Sequence, residues 1–403
     1  MNQYDFLYKN YTRLVEGVKV THHRYLYHTF SLEQRMTGII GPRGVGKTTM
    51  MLQYIKEHLY EDGKAFYFSA DHVYFDRLKL LELVDYLHTE EDIEYIFIDE
   101  IHKYKNWNQE LKNIYDSYPD LKLVFSGSSS IDLVSESYDL TRRVKLYYLR
   151  GLSFREYLCF LHKKDYSVIS YHDLISRPSK YNAVIAKIPK LQRLFKEYLA
   201  YGYYPFALEG RSAYYERISR IVDKTIYEDI ANYYKLKTEN LFLFKKILNF
   251  LSSIEPGKFS VHNLAKNLSV DDKTALHYVT ILSDAGLVRF VSSDGQGNVY
   301  LRKPQKVFLE NTNLAYALSA ITGMPISNGA IRELFFLQML NNVDIIVTYS
   351  QVGDYKIQGQ VFEIGGKRKS RKQLKGEKGC VVKDDILYAS GSDIPLIFFG
   401  FLY

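Results

Sequence analysis

The chain has 403 residues, with 53 Lys plus Arg against 46 Asp plus Glu and a formal charge of +7. At roughly 150 residues per domain this length carries two or three cores, and 46% hydrophobic with 25% charged content excludes long disorder. Two cysteines far apart, Cys159 and Cys380, exclude a disulfide framework and a C-x-x-C metal site and fit a reducing compartment, so the expected location is cytoplasmic. No signal-peptide pattern opens the chain. The apolar run from Ile394 to Tyr403 is about half of the roughly twenty residues a membrane span needs, so no membrane partner is expected.

Residues 1–30 are polar and Tyr-rich and read as one or two lead-in helices. From Met36 to Ile40 a short apolar run predicts a strand, followed by a Gly-rich turn and a helical period over Thr48–Leu59. Lys64–Ser69, Tyr95–Ile98, Leu121–Phe125 and Val144–Leu149 read as further strands, with helices over Leu80–Leu87 and Trp107–Tyr118 between them. Strands alternating with helices predict a parallel α/β sheet over residues 1–150. Residues 151–240 read as a helical connector interrupted by a loop at 170–190, where Pro178 and Pro189 stand. Residues 241–322 read as three helices (Leu241–Ser253, Val261–Asn267 and Lys273–Ala285) and a hairpin of Leu287–Ser292 with Val299–Leu301. Thr322–Asn328 reads as a linker. Residues 323–403 open with a helix, Ala330–Leu340, and continue with strands near Ile345–Tyr349, Asp354–Ile357, Gln360–Ile364, Cys380–Val382 and Ile394–Phe399.

The chemistry is densest at Gly41-Pro42-Arg43-Gly44-Val45-Gly46-Lys47-Thr48-Thr49, whose first eight residues match G-x-x-x-x-G-K-[ST] in full. Such glycines let backbone N–H groups turn inward around phosphates, the lysine puts a charge on the β- and γ-phosphates, and the Thr48 hydroxyl ligates Mg²⁺. The helix that follows adds the positive end of its dipole. Tyr95–Glu100 is an apolar strand closing on two carboxylates. Asp99 is the expected water-mediated Mg²⁺ holder, and Glu100 the expected base for an attacking water. A third strand ends in Ser126-Gly127-Ser128-Ser129, where a polar side chain can sense the γ-phosphate. Ser128 is the first choice and Ser126 the second. ATP and Mg²⁺ are the cofactors this set implies.

These residues resemble those of AAA+ ATPases. The wider pattern resembles a prokaryotic group of ATP-binding proteins, in which an AAA module precedes a C-terminal domain of unknown function. The matching stretches are Ile40–Thr49, Phe68–Asp71, Phe97–His102, Phe125–Ser129, Arg143 with Leu152-Ser153-Phe154-Arg155-Glu156-Tyr157, Tyr201-Gly202-Tyr203-Tyr204-Pro205, Phe362-Glu363-Ile364-Gly365-Gly366-Lys367, and Ile394-Pro395-Leu396 with Phe399-Gly400. The group's pattern has a Gly-Arg pair where Arg142-Arg143 stands here, and Pro where Gly151 stands. The resemblance makes Arg143 a candidate for stabilising charge on the γ-phosphate of its own or a neighbouring subunit. Arg142 is the alternative by one position.

Residues 258–302 resemble a winged helix, yet Asp271 and Asp272 open its second helix and its wing, Ser292–Gln296, is not basic. A protein-contact element is favoured over a DNA reader. The last segment resembles the restriction-endonuclease-like fold written PD-(D/E)XK, with Glu333, Asp354 and Glu363 as metal-binding candidates. The expected lysine is absent, because Gly365 stands two residues after Glu363, and Lys367 or Lys369 would have to reach back. A non-cutting version of that fold is favoured. The run Lys367, Arg368, Lys369, Arg371, Lys372, Lys375, Lys378 is the densest positive stretch and is a candidate for a nucleic-acid backbone.

Three functions follow as expectations. One is an AAA+ ATPase acting on a macromolecule, with DNA, another protein or a second copy as partner. The second is a nucleotide-gated switch with slow turnover. The third is an ATP-regulated, metal-dependent nuclease.

Overall fold

The computed structural model describes residues 4–128, 140, 142–255, 257, 259–293 and 304–403. They divide into two compact units, residues 1–151 and 152–403.

In the first unit, helix α1 (Asp5–Gly17) precedes a parallel sheet of β1 (Met36–Ile40), β2 (Ala65–Ser69), β3 (Tyr95–Asp99), β4 (Lys122–Gly127) and β5 (Val144–Tyr148). Helices α2 (Lys47–His58), α3 (Leu80–Thr89) and α4 (Trp107–Ser117) connect the strands. The strand order is β2-β3-β4-β1-β5, and every neighbouring pair is parallel. β1 is buried at all five positions, as expected of a strand covered on both faces. This order inserts β4 between β1 and β3, so the turn after β1, the carboxylates after β3 and the serines of β4 meet at one end of the sheet. α2 also fixes the polar lead-in, because Gln53 Nε2 donates to the Lys19 carbonyl at 2.7 Å and to that of His22 at 3.0 Å.

The second unit begins with α5 (Phe154–His162). Ser153 caps it: the Ser153 hydroxyl accepts from the Glu156 N–H and the Glu156 carboxylate accepts from the Ser153 N–H. The Ser153 hydroxyl also donates to the Tyr403 carbonyl at 2.9 Å, and Arg155 Nε donates to the same oxygen at 2.7 Å. The segment expected to be a loop instead contains α6 (Tyr171–Ser176), a 3₁₀ turn at Pro178–Tyr181 and α7 (Asn182–Ala186). Pro178 stands at the start of that turn, where a missing N–H is harmless. Next come α8 (Leu191–Tyr201) and α9 (Tyr214–Lys224), which runs through a π turn at Thr225–Ile230 into α10 (Ala231–Tyr234).

Helices α11 (Thr238–Ser253), α12 (Val261–Leu268) and α13 (Asp272–Asp284) then lead to β6 (Val288–Val291). β6 pairs antiparallel with β7 (Lys306–Leu309), a strand the sequence reading missed. The expected partner Val299–Leu301 and the wing tip Asp294–Gln296 lie outside the described residues. Asp271 serves as the N-cap of α13, accepting from the Thr274 N–H at 2.9 Å. A further unforeseen helix, α14 (Thr312–Thr322), precedes α15 (Asn328–Asn341).

A five-stranded sheet follows, made of β8 (Thr348–Tyr349), β9 (Tyr355–Ile357), β10 (Gln360–Gly365), β11 (Gly379–Lys383) and β12 (Asp393–Pro395). β10, β11 and β12 are parallel, whereas β9 and β8 run antiparallel at one edge. The last apolar run is a strand only to Pro395 and then a buried 3₁₀ helix, Leu396–Phe401. Among the described residues no helix is long and apolar enough to cross a membrane.

Candidate nucleotide site

Gly41 must be glycine because a Cβ there would lie 2.0 Å from the Leu149 carbonyl oxygen. Gly46, at φ 96°, turns the loop into α2 through a conformation few other residues tolerate. Val45 is fully buried and anchors the loop, while Thr49 is exposed on α2. Lys47 is 4% exposed, and its ammonium donates to the Gly41 and Pro42 carbonyls at 2.8 and 3.1 Å. The charge therefore sits inside the ring of loop backbone, held by weak acceptors that phosphate oxygens would outcompete.

Asp99 collects the neighbouring donors. Its Oδ2 accepts from the Thr48 hydroxyl at 2.5 Å and from the Tyr67 hydroxyl at 2.9 Å. Its Oδ1 accepts from the Ser126 hydroxyl and from the Glu100 N–H. Burial raises the Asp99 pKa above the usual carboxylate range, and the neighbouring Glu100 charge raises it further. The bonds from Ser126, Thr48 and Tyr67 act in the opposite sense. A hydroxyl and a carboxylate oxygen 2.5 Å apart are hard donors of the kind Mg²⁺ takes, so Thr48 and Asp99 fit that ion.

Glu100 has a left-handed backbone, φ 51°, which turns the chain from β3 into a short 3₁₀ segment, Ile101–Lys103. That turn returns His102 to the carboxylate. His102 Nε2 lies 3.4 Å from Glu100 Oε2 and 3.1 Å from the Ser128 hydroxyl, with its side chain 3% exposed. Arg43 of the loop lies 4.0 Å from the same Glu100 oxygen. Both serines thus reach the site by different routes. Ser126 touches Asp99 and accepts from the Glu100 N–H at 3.1 Å, whereas Ser128 touches His102.

Arg143 is not brought to its own loop. It precedes β5, whose first residue pairs with Met36 and whose last pairs with Ile40, so it sits at the opposite end of the sheet. Five strand residues place it about 15 Å from the phosphate end. There it pairs with Asp116 at 3.2 Å. The arginine that supports the loop is Arg24, 5% exposed, which donates to the Val45 carbonyl at 2.5 Å and to the Arg150 carbonyl at 2.6 Å. Arg24 and His102 both escaped the sequence reading. His102 stood in the quoted Phe97–His102 stretch, and its place two residues after Glu100 was the available signal.

In the second unit the three carboxylates face lysines. Lys306 of β7 lies 2.7 Å from Glu333 Oε2 and 3.8 Å from Asp354 Oδ1, and the Tyr355 hydroxyl donates to Glu333. Asp354 Oδ2 accepts from the Ile364 N–H at 2.8 Å. Glu363 is paired by Lys369, while Lys367 is exposed and contacts none of the three. Burial raises the Glu363 pKa, and Lys369 opposes that shift. Among the described residues no group of three or more His, Cys, Asp or Glu side chains is placed to hold a metal ion. The cluster does not fit the metal that the endonuclease-like resemblance implies.

Fold and site together define the first unit as a parallel α/β core of the P-loop kind. Residues 33–158 match the AAA domain family, and residues 192–324 match a domain of unknown function, DUF8612. The chain is 27% identical to the uncharacterized protein MJ1637 of Methanocaldococcus jannaschii, over 90% of this chain and 84% of that protein. Among solved structures, AMPPCP-bound DnaA from Aquifex aeolicus matches at 15% identity, covering 70% of this chain and 89% of that one, with a TM-score of 0.28. A RuvB variant from Thermotoga maritima matches at 16% identity, covering 81% and 96%, also with a TM-score of 0.28. At such TM-scores neither likeness bears on the fold or the chemistry.

Proposed function

We propose that the chain is an Mg²⁺-dependent ATPase of the AAA+ kind whose hydrolysis cycle moves a macromolecular partner. The observation that carries this reading is the Thr48–Asp99 hydrogen bond at 2.5 Å, which joins the phosphate loop to the carboxylate strand. Mg²⁺ held by Thr48 and, through water, by Asp99 would neutralise charge on the β- and γ-phosphates. Lys47 exchanges its two carbonyl partners for phosphate oxygens. Glu100 accepts the proton of the attacking water, and Ser126 holds Asp99 and the Glu100 backbone in register. Ser128, bonded to His102, would sense the γ-phosphate. Arg143, at the far end of its own sheet, would serve only a neighbouring copy in a homo-oligomer.

The test is Glu100→Gln, which should bind ATP and fail to hydrolyse it. A pull-down with this trapped variant distinguishes DNA, another protein and a second copy as partner. A hydrolysis rate equal to wild type places the base elsewhere.

A second reading, a nucleotide-gated switch with slow turnover, draws support from Glu100 itself. Its carboxylate lies between Arg43 and His102, at 4.0 and 3.4 Å, rather than free to take a proton. Turnover near background with nucleotide-dependent complex formation would favour it. We read α11–α13 with β6 and β7 as a winged helix used for protein contact, and the last sheet as a non-cutting endonuclease-like fold. The lysine-paired carboxylates speak against the nuclease alternative. The two buried free thiols suit a cytoplasmic location.

A further inference from the structure

The connection between β10 and β11 is a basic strap. From Lys367 to Lys378 it holds seven Lys and Arg and one acid, Glu377. Two internal contacts fix it to the sheet. Leu374, 2% exposed, packs on Val361 and Val381, and Lys369 reaches down to pair with Glu363. Val361 and Glu363 alternate onto the same face of β10, so both anchors lie beneath the strap. Arg371 adds a bond of 3.4 Å to the Gly379 carbonyl. Lys367, Arg368, Lys372, Lys375 and Lys378 are exposed, and none forms an ion pair among the described residues. Elsewhere on this unit exposed cations are commonly answered, as Arg193 and Arg211 are by Glu197, and Lys180 by Asp173.

The carboxylates beside the strap offset only one of its cations, Lys369. Glu363 is spent on Lys369. Glu333 and Asp354 share Lys306, whose side chain is 9% exposed. An ammonium between Glu333 and Asp354 supplies the positive charge that a divalent ion would bring to an endonuclease-like fold, without supplying an activated water. Lys306 and Lys369 cancel two of the three negative charges that would repel phosphates.

We propose that the 367–378 strap is a contact surface for a nucleic-acid backbone, and that Lys306 and Lys369 make the face beneath it a binding rather than a cutting surface. The strap grips phosphates by charge alone, so binding is indifferent to base sequence and steeply salt-dependent. Five exposed cations on an anchored connection pay little ordering entropy on binding, unlike the same charges on a loose tail.

The inference rests on the ATPase reading only in naming its macromolecular partner. ATP hydrolysis measured on the same samples reports on that reading separately. The experiment titrates the full chain against a short labelled DNA duplex, in EDTA and without nucleotide, between about 50 and 200 mM salt. The wild type should show a slope of log affinity on log salt of about −4, at roughly −0.9 per phosphate contact. The quadruple variant Arg368→Gln, Lys372→Gln, Lys375→Gln, Lys378→Gln should bind more than about tenfold more weakly and lose about 3.6 units of slope, nearly all of it. Its circular dichroism and urea unfolding should match the wild type, showing that the second unit is folded, and its basal ATP hydrolysis should stay at the wild-type rate. With Mg²⁺ or Mn²⁺ added, the duplex should be recovered uncut. Equal affinity and slope in the two proteins overturn the binding surface. Cutting that disappears in Glu363→Gln overturns the non-cutting assignment. Strap-dependent binding to phosphatidylserine vesicles, with none to DNA, overturns the choice of partner.

Discussion

Four donors converge on Asp99, and one of them is the N–H of Glu100, the proposed base. Because the Glu100 N–H is tied to both Asp99 and Ser126, the base is fixed at its backbone, while its carboxylate is steered by Arg43 and His102. This division makes His102 a positioning residue. Replacing it by Ala should lower kcat about tenfold or more with ATP affinity nearly unchanged, and His102→Gln, which retains a donor, should recover part of the loss. A parallel fall in ATP affinity would mean that His102 merely supports the fold. Lys47→Ala is expected to abolish tight ATP binding, because the loop loses its one buried ammonium. Equilibrium binding of a fluorescent ATP analogue measures this, and wild-type affinity would remove Lys47 from the site.

At the level of elements, two positions show how tightly backbone is packed. At Gly41 the close atom is the main-chain oxygen of Leu149, which cannot swing aside as a side chain can. Gly41→Ala should therefore displace the phosphate loop and weaken nucleotide binding, even though Lys47 and Thr48 are intact. In the second unit, Asn313 is the junction of the helices. Its amide donates to the Tyr198 and Leu199 carbonyls at 3.1 and 2.8 Å, and its oxygen accepts from the Tyr203 N–H at 2.8 Å and from the Tyr214 hydroxyl. Asn313→Ala removes these four bonds at once, although the Tyr198 carbonyl keeps the Gly202 N–H and the Tyr214 hydroxyl keeps the Tyr204 N–H, and should cost about 2–4 kcal/mol in urea unfolding.

The same elements show what the sequence made legible. The strands and helices around the phosphate loop could be read because their apolar runs have clear periods and are punctuated by glycine. The sites at Thr48, Asp99 and Glu100 could be read because a spacing carries their chemistry. Arg24 could not, since it acts through carbonyl oxygens brought near by folding, and no local pattern marks a donor to a carbonyl. Lys306 could not, because its partners Glu333 and Asp354 lie on other elements. α6 and α7 were obscured by prolines, and the run after Ile394 was read as strand throughout, because an apolar stretch buried on all sides has no period to separate strand from 3₁₀ helix. The 37 tyrosines, the oddest entry in the composition, are explained in part by networks such as Tyr198–Tyr203–Tyr214 around Asn313.

For the whole molecule, the two units should respond differently to ligand. The proposed ATP and Mg²⁺ ligands all belong to the first unit, so in calorimetry of the full chain ATP with Mg²⁺ should raise the transition of that unit by an amount set by ligand excess, about 2.7 kcal/mol at a hundredfold excess over Kd. Lys47→Ala should abolish the shift, and a shift that persists in that variant would locate the nucleotide elsewhere.

The cap of α5 has a consequence for synthesis. Ser153 and Arg155 hold the carbonyl of Tyr403, a residue 250 positions after Ser153. Leu152 and Phe154 meet Tyr198, Phe195 and Tyr203 early, but the Ser153 hydroxyl and Arg155 lack their Tyr403 acceptor until the ribosome has added that residue. At translation rates of about 5–20 residues per second that interval is on the order of 10–50 s. For that time Leu152, Phe154 and Tyr157, all buried in the finished unit, lack the final strand and 3₁₀ helix. The second unit's opening helix is thus completed only by the last residues described, whereas the proposed nucleotide site lies wholly within the first 151.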